Sequence, residues 1–281
     1  MRFHIVDTFA DERFLGNPAA VVQADEFPSP EVMQAVASQV ALPTTAFVVS
    51  LAPAEYRVRW FTPHKEINLC GHATIASARL LFGQAENADR ARLTFVSDHG
   101  TLYTERVDDL MAIDLPTSQL TATDPPPGLL EALGVNELGT HGLGVGAVSC
   151  VVSSDDVLVE VSSAEAVSAI RPNFPELARQ PFRGHIVTAR GTSGADFVSR
   201  TFFPFLGVDE DQVCVTAHCK LTPFWAARLG RPRLAALQLS ERGGRLEVQD
   251  AGDQVRVLGT AVLRDAVGSL TAQLLSTDNS R

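Results

Sequence analysis

Four groups with acid–base chemistry cluster in two short stretches: Cys70 and His72 in "NLCGHAT", and Asp211 and Cys214 in "DQVCVTAHC". An imidazole titrates near neutral pH, so His72 could shuttle a proton or hydrogen-bond a substrate; the alternative is that it caps its own helix. Asp211 could orient a substrate amine or the histidine, or simply stabilise the helix that follows. With Cys150 and Cys219, the cysteines number four and lack zinc-ligand spacing, so they are expected to be thiols rather than staples, either core filler or chemistry. The stretch "ALPTTAFVV", residues 41–49, looks like the edge of an active site but carries no acid or base. The hydroxyl of Thr44 is neither at neutral pH.

Something must position these groups. "RFHIVDTFA" and "AAVVQA" read as strands around the turn "FLGNPA", and "SPEVMQAVASQVAL" opens a helix with Ser29 and with Pro30 at the first helical position. "TTAFVVS" and "EYRVRWF" alternate as strands, and after the loop "TPHKEINLCGH" the small-residue helix "ATIASARLLFG" ends at Gly83. A hairpin is expected at Asp98 to Gly100, and a linker in the proline-rich stretch after residue 117. The expected domains are therefore 1–117 and 118–281, with the last segment able to pack back on the first.

The second half repeats the theme of the first. With Cys70 laid over Cys214, Phe61 falls on Phe205, Glu66 on Glu210 and Ala73 on Ala217, and each time a strand feeds a loop that feeds a helix. Two related lobes are expected, each presenting the unpaired N–H groups of a helix N-terminus, which suit a substrate carboxylate. Glu66 and Glu210 could supply acid–base function or be contacts of the fold. Arg59 and Arg200 could grip a carboxylate bidentately or lie on the surface. Asn17 and Gly71 could shape the floor of a binding site, although Asn-Pro is also an ordinary turn signal.

The chain resembles the PhzF-like proteins of phenazine biosynthesis, within the diaminopimelate epimerase and proline racemase superfamily. The resemblance rests on "DTFADERFLGNPAAVV", on "RWFTPHKEINLCGHATIASARLLF", and on "HIVTARG", "DFVSRTFFP", "DEDQV", "AHC" and "QLSERGG" in the second half. It implies an α+β fold of two similar lobes, each a mixed barrel-like sheet around a central helix, with the active site between them and homodimers common. It also implies an isomerase that moves a proton on a small amino-acid-like carboxylate, with roles for His72 and Asp211. The chain departs from the family at two places. Thr44 stands where the resemblance places a catalytic glutamate, and Val215-Thr216 where it places Gly-Ser ahead of "AH". Threonine cannot replace a carboxylate base, and a β-branched valine restricts the backbone where glycine would admit a ligand, although Thr216 can still donate as a serine would.

The wider superfamily also implies a role for Cys70 and Cys214, since some members use two facing thiols at the starts of the two helices. A thiol at a helix N-terminus has a reason to ionise, and a thiolate facing a thiol makes the base and acid of an epimerisation. Two other readings stay open: a biosynthetic tailoring enzyme that cyclises or rearranges a substrate held by Thr44, His72 and Thr216, and a catalytically inactive binding homologue. Gly71 and Ala73 stand with Thr44, Thr216 and Asn17 as the candidate substrate-binding residues.

Composition narrows the partners. A net charge of −10 with no Lys/Arg-rich run argues against nucleic acid and anionic membranes, and 45% hydrophobic residues suit a globular chain. No apolar run reaches membrane-spanning length and the N-terminus has no signal core, so a cytoplasmic protein is expected. The loose glycine pattern in "GLGVGAVS" lacks the helix of a dinucleotide fingerprint, and the histidines are dispersed. No organic cofactor and no metal are expected.

Overall fold

A computed structural model describes residues 2–135, 146–192 and 194–269. The first elements are β1 (Arg2–Thr8), β2 (Asn17–Ala24), α1 (Pro30–Val40), β3 (Thr44–Ala52), β4 (Glu55–Phe61), β5 (Glu66–Ile67), α2 (Gly71–Phe82), β6 (Arg92–Ser97), β7 (Gly100–Val107) and β8 (Leu110–Pro116). Next come β9 (Thr121–Ala122), α3 (Leu129–Leu133), β10 (Ala147–Val152), β11 (Asp156–Val161), α4 (Ala164–Ala169), α5 (Phe174–Leu177), β12 (Gly184–Arg190) and β13 (Phe197–Phe203). The last are β14 (Val208–Asp211), α6 (Val215–Leu229), β15 (Arg233–Gln238), β16 (Gly244–Asp250), β17 (Gln254–Gly259) and β18 (Ala261–Ser269). The fold is mixed α+β, dominated by strands. It divides into two compact units, one of Met1–Asp114 with Leu258–Arg281 and one of Leu115–Val257.

In the first unit β1 pairs antiparallel with β18 and β2, β2 runs parallel to β3, β3 antiparallel to β4, β4 parallel to β6, and β6 antiparallel to β7. Each parallel step needs a crossover, and α1 and α2 supply them. α1 starts as its sequence dictates: the Ser29 hydroxyl accepts the Val32 N–H and Pro30 opens the first turn. Its i, i+3, i+4 face of Met33, Val36 and Ala37 covers Val22, Phe47 and Phe61. Strand alternation then turns Thr44 and Ala46 to the opposite face of β3, the side where α2 packs.

α2 is buried on every side, against β1, β2, β3, β7 and β18, which explains its small residues Gly71, Ala73, Ala76, Ser77 and Ala78. Its buried hydroxyls cost nothing, because Thr74 donates to the Cys70 carbonyl at 2.7 Å and Ser77 to that of Ala73 at 2.8 Å. The turn before β2 depends on Gly16, whose φ is +66° and whose Cβ, if it had one, would lie 2.1 Å from the Thr8 carbonyl oxygen.

The second unit runs through the same succession of pairings: β10 antiparallel to β11, β11 parallel to β12, β12 antiparallel to β13, β13 parallel to β15, β15 antiparallel to β16. Here α4 and α5 make the first crossover and α6 the second. The core is mostly aliphatic, with Val157, Val159, Val187 and the aromatic Phe202 packed against Val167, Ile170 and Leu177.

Two expectations change, and a third falls partly beyond what is described. The stretch read as a linker contributes β9, because Thr121 and Ala122 precede the prolines and are free to pair with Val152 and Val151. The overlay of Phe61 on Phe205 fails: Phe61 is buried in β4, whereas Phe205 is 62% exposed in a single 3₁₀ turn, Pro204–Leu206. Part of the "GLGVGAVS" glycine pattern lies outside the described residues.

Candidate functional site

In the first unit, β5 delivers the chain to α2 with Cys70 as N-cap, in extended backbone (φ −144°, ψ 101°) and without a side-chain capping bond. Its sulfur turns instead to two side chains. The Nδ1 of His72 lies 3.4 Å away, and the Thr44 hydroxyl, which accepts the S–H, lies 3.5 Å away. Cys70 and His72 are each 6% exposed and Thr44 2%. Three candidates separated in sequence thus form one cluster, in which an imidazole can take the thiol's proton and a hydroxyl touches the sulfur. Gly71 and Ala73 make the buried first turn beside them, whose N–H groups have no intrahelical acceptor. Asn17 is fully buried at the start of β2, paired opposite Thr8, whose hydroxyl donates to the Asn17 carbonyl at 2.9 Å.

The second unit repeats the arrangement with a different partner. Cys214 is the N-cap of α6 (φ −103°, ψ 104°), again without a capping bond, and its sulfur lies 3.3 Å from the Thr216 hydroxyl. Each N-cap thiol therefore contacts the side chain two residues on, imidazole in one unit and hydroxyl in the other. One turn further, Thr74 donates to the Cys70 carbonyl and His218 Nδ1–H to the Cys214 carbonyl at 2.8 Å.

The expectation that a helix N-terminus favours ionisation is reversed at Cys214. Burial pushes this thiol well up and the charge of Asp211 adds to the effect, outweighing the Thr216 hydroxyl, the Ala217 N–H and the charge of Arg183. Cys214 is an S–H near neutral pH. Burial also raises Cys150 to about 11 and Cys219 to about 12, as expected of core filler. All four cysteines are free thiols.

The two glutamates and two arginines occupy one another. Arg59 grips Glu66 through Nε and Nη2, both at 2.7 Å, and Arg200 grips Glu210 at 2.7 and 2.8 Å. Each guanidinium also lies over a phenylalanine of its own strand, Phe61 at 5.4 Å and Phe202 at 5.1 Å. These are contacts of the fold, and Phe202 is the counterpart of Phe61. Arg200 and Glu210 lie three positions further apart than Arg59 and Glu66, the length of the 3₁₀ turn between them.

Sequence reading missed two groups behind Cys214. Asp156 is fully buried and accepts from Arg183 Nε at 3.0 Å, Arg183 Nη2 at 2.6 Å and Lys220 Nζ at 2.9 Å. Burial works to raise its carboxyl, but these bonds and charges overcome it and hold the group below the usual carboxylate range. Lys220 lies on α6, so the cluster ties the helix that begins at Cys214 to the start of β11. The other missed group is the buried Gln238. A polar residue in the apolar run "LAALQL" was the available signal.

Among the described residues no cluster of His, Cys, Asp or Glu could hold a metal ion, and no helix is long and apolar enough to cross a membrane.

Comparison with known proteins agrees with this architecture. A family model described as phenazine biosynthesis-like protein, PhzC-PhzF, matches residues 6–266. An uncharacterized isomerase of Pseudomonas aeruginosa is 44% identical over 94% of this chain and 96% of its own. The crystal structure of a PhzF family protein from Enterococcus faecalis is similar with a TM-score of 0.85 and 37% identity, covering 95% of this chain and 98% of that one. A hydroxyproline epimerase from Agrobacterium vitis, crystallised with trans-4-hydroxy-L-proline, shares the fold at a TM-score of 0.59 and 11% identity, over 95% of this chain and 91% of its own. With its long helix-start motif, its strand order and a family match across nearly its whole length, this chain belongs to the PhzC-PhzF, phenazine biosynthesis-like family.

Proposed function

We propose that this protein is an isomerase that moves a proton on a carbon beside the carboxylate of a small amino-acid-like molecule, with Cys70 and His72 as its base. The observation that carries this reading is the position of the Cys70 sulfur, 3.5 Å from Thr44 Oγ1 and 3.4 Å from His72 Nδ1. The family resemblance puts the catalytic glutamate at Thr44. An ionisable sulfur touching that hydroxyl, with an imidazole against it, restores a base next to the place the carboxylate left.

His72 accepts the S–H proton of Cys70, the Thr44 hydroxyl turns to donate to the resulting thiolate, and the thiolate then takes the proton from the substrate carbon. Cys214, kept as an S–H by burial, is the donor that gives a proton back to the substrate carbon skeleton, and Asp211 orients the substrate amine. The first-turn N–H groups at Gly71 and Ala73 suit the substrate carboxylate, with Asn17 and Thr216 shaping the binding surface. We read the protein as a cofactor-independent, cytoplasmic homodimer serving biosynthesis, built of two related lobes. The isomerase name of its relative supports the reaction class.

The test is deuterium incorporation in heavy water, read by mass spectrometry across a panel of small amino acids and related carboxylates. Cys70→Ser and His72→Ala should each lower incorporation by roughly 10²-fold or more, the usual contribution of a positioned acid or base. Wild-type rates surviving both changes would overturn the assignment. Turnover with no solvent hydrogen in the product would favour tailoring chemistry instead.

A further inference from the structure

We infer that Gln238 is a positioning residue, whose buried side-chain amide sets the place of Asp211 and Cys214. The functional part of this inference rests on the proton-transfer reading above. Gln238 ends β15 and is fully buried. Its Oε1 accepts the Cys214 N–H at 2.9 Å, while its Nε2 donates to the Asp211 carbonyl at 2.5 Å and to Thr201 Oγ1 at 2.9 Å. The partners fix the amide's orientation, since a backbone N–H can only donate and a carbonyl can only accept. Thr201 itself pairs with Asp211 across β13 and β14. One amide thus bridges both ends of the segment that carries the two candidate groups.

The turn after β15 holds the middle of the same segment. Ser240 Oγ donates to the Gln212 carbonyl at 2.7 Å, and Gln212 Oε1 accepts the Arg242 N–H at 3.1 Å. Among the described residues the first unit shows no such anchor at the matching strand end. There β6 runs parallel to β4 as β15 does to β13, and its last residue, Ser97, donates to Gly100 within its own turn at 2.9 Å. A buried amide is stabilising only while its bonds are made, and a displacement of about 1 Å is enough to cost a proton transfer some 10²-fold. Gln238 also occupies the Cys214 N–H, so that donor is not offered to a ligand.

Two variants test the inference: Gln238→Met, which keeps the shape and removes every polar atom, and Gln238→Glu. Backbone hydrogen exchange over residues 211–214, corrected for intrinsic rates, is measured with iodoacetamide labelling read separately at each cysteine. In Gln238→Met, exchange in this segment and labelling of Cys214 should each rise at least about tenfold, with Cys150 and Cys219 unchanged. In Gln238→Glu the effect should depend on pH. The protonated acid can donate to the Asp211 carbonyl and accept from Cys214, giving wild-type exchange, whereas the carboxylate repels that carbonyl and keeps only the Cys214 N–H, so its exchange should lie between wild type and methionine.

Unchanged exchange in Gln238→Met, release of all the buried cysteines together, or a pH-independent Gln238→Glu would each overturn the inference. Loosened exchange with full deuterium transfer to substrate would overturn the positioning role alone. A wild-type protein that transfers no deuterium overturns the proton-transfer reading, and the exchange profile then decides the anchoring by itself.

Discussion

Lowering the pH from about 7 to about 5 should cost the fold about 2 kcal/mol through His218 alone. This histidine is fully buried, its Nδ1–H is given to the Cys214 carbonyl at 2.8 Å, and its ring lies 5.9 Å from that of Phe197, which stacks on Trp225. A second proton would have to sit on Nε2, which has no hydrogen-bond partner. Burial therefore pushes the imidazole down to about 4, while in the unfolded chain it titrates near 6.5. The sign follows from which state takes the proton. Above about 6.5 both states are neutral and nothing is lost; between 6.5 and 4 the unfolded chain binds a proton the folded one refuses, and stability falls with pH.

The assay is urea unfolding at both pH values, for the wild type and for His218→Thr. Threonine is chosen because Thr74 makes the same bond to the Cys70 carbonyl in α2 and does not titrate. The variant should be roughly 2–4 kcal/mol less stable at pH 7 for the lost ring packing, but its loss between pH 7 and 5 should be about 2 kcal/mol smaller. His185, fully buried and also held near 4, adds a similar dependence that both proteins keep. Equal pH dependence in the two proteins would refute the argument, because it would mean that burial does not keep this imidazole neutral.

Asp156→Ala strands Lys220 and Arg183 and should destabilise the fold by about 3–5 kcal/mol, with a good part recovered in the double variant with Lys220→Met; denaturant midpoints decide. Gly16→Ala should cost at least about 1–2 kcal/mol in the same measurement, since it combines a left-handed φ with a collision against backbone. Iodoacetamide near pH 8 should label Cys70 ahead of Cys150 and Cys219, whose thiols stay protonated, and His72→Ala should slow the Cys70 labelling roughly tenfold or more. Labelling of Cys70 that ignores His72 would remove the base from the proposed mechanism.

Much of the architecture was legible because its signals are local. Ser29 and Pro30 mark α1, alternation marks β3 and β4, and the motif running from Arg59 through Cys70 into α2 is contiguous, so the family could be read directly. The contacts that give the candidate site its chemistry are not local. Thr44 and Cys70 are 26 positions apart, Cys214 and Gln238 are 24, and only the parallel crossovers bring them together. The overlay of the two halves held at the cysteines and slipped at Phe205, because a constant offset cannot cross an inserted turn. The protonation of Cys214 is hidden from the sequence for a related reason: its helix terminus is visible there, whereas its burial and the nearby Asp211 charge depend on the packing.

The paired Arg59–Glu66 and Arg200–Glu210 bridges have a consequence for how such a chain can change over time. Each ties a strand directly to the residues just ahead of a helix, so the backbone between the two anchor points can lengthen without moving the helix start. The second unit has already used this tolerance, with an extra turn that leaves Phe205 outside while Cys214 keeps the geometry of Cys70. Loop length and thiol placement are thereby decoupled. Insertions between arginine and glutamate are the changes this scaffold should absorb most easily, and loss of either bridge is what would make those loops sensitive to length.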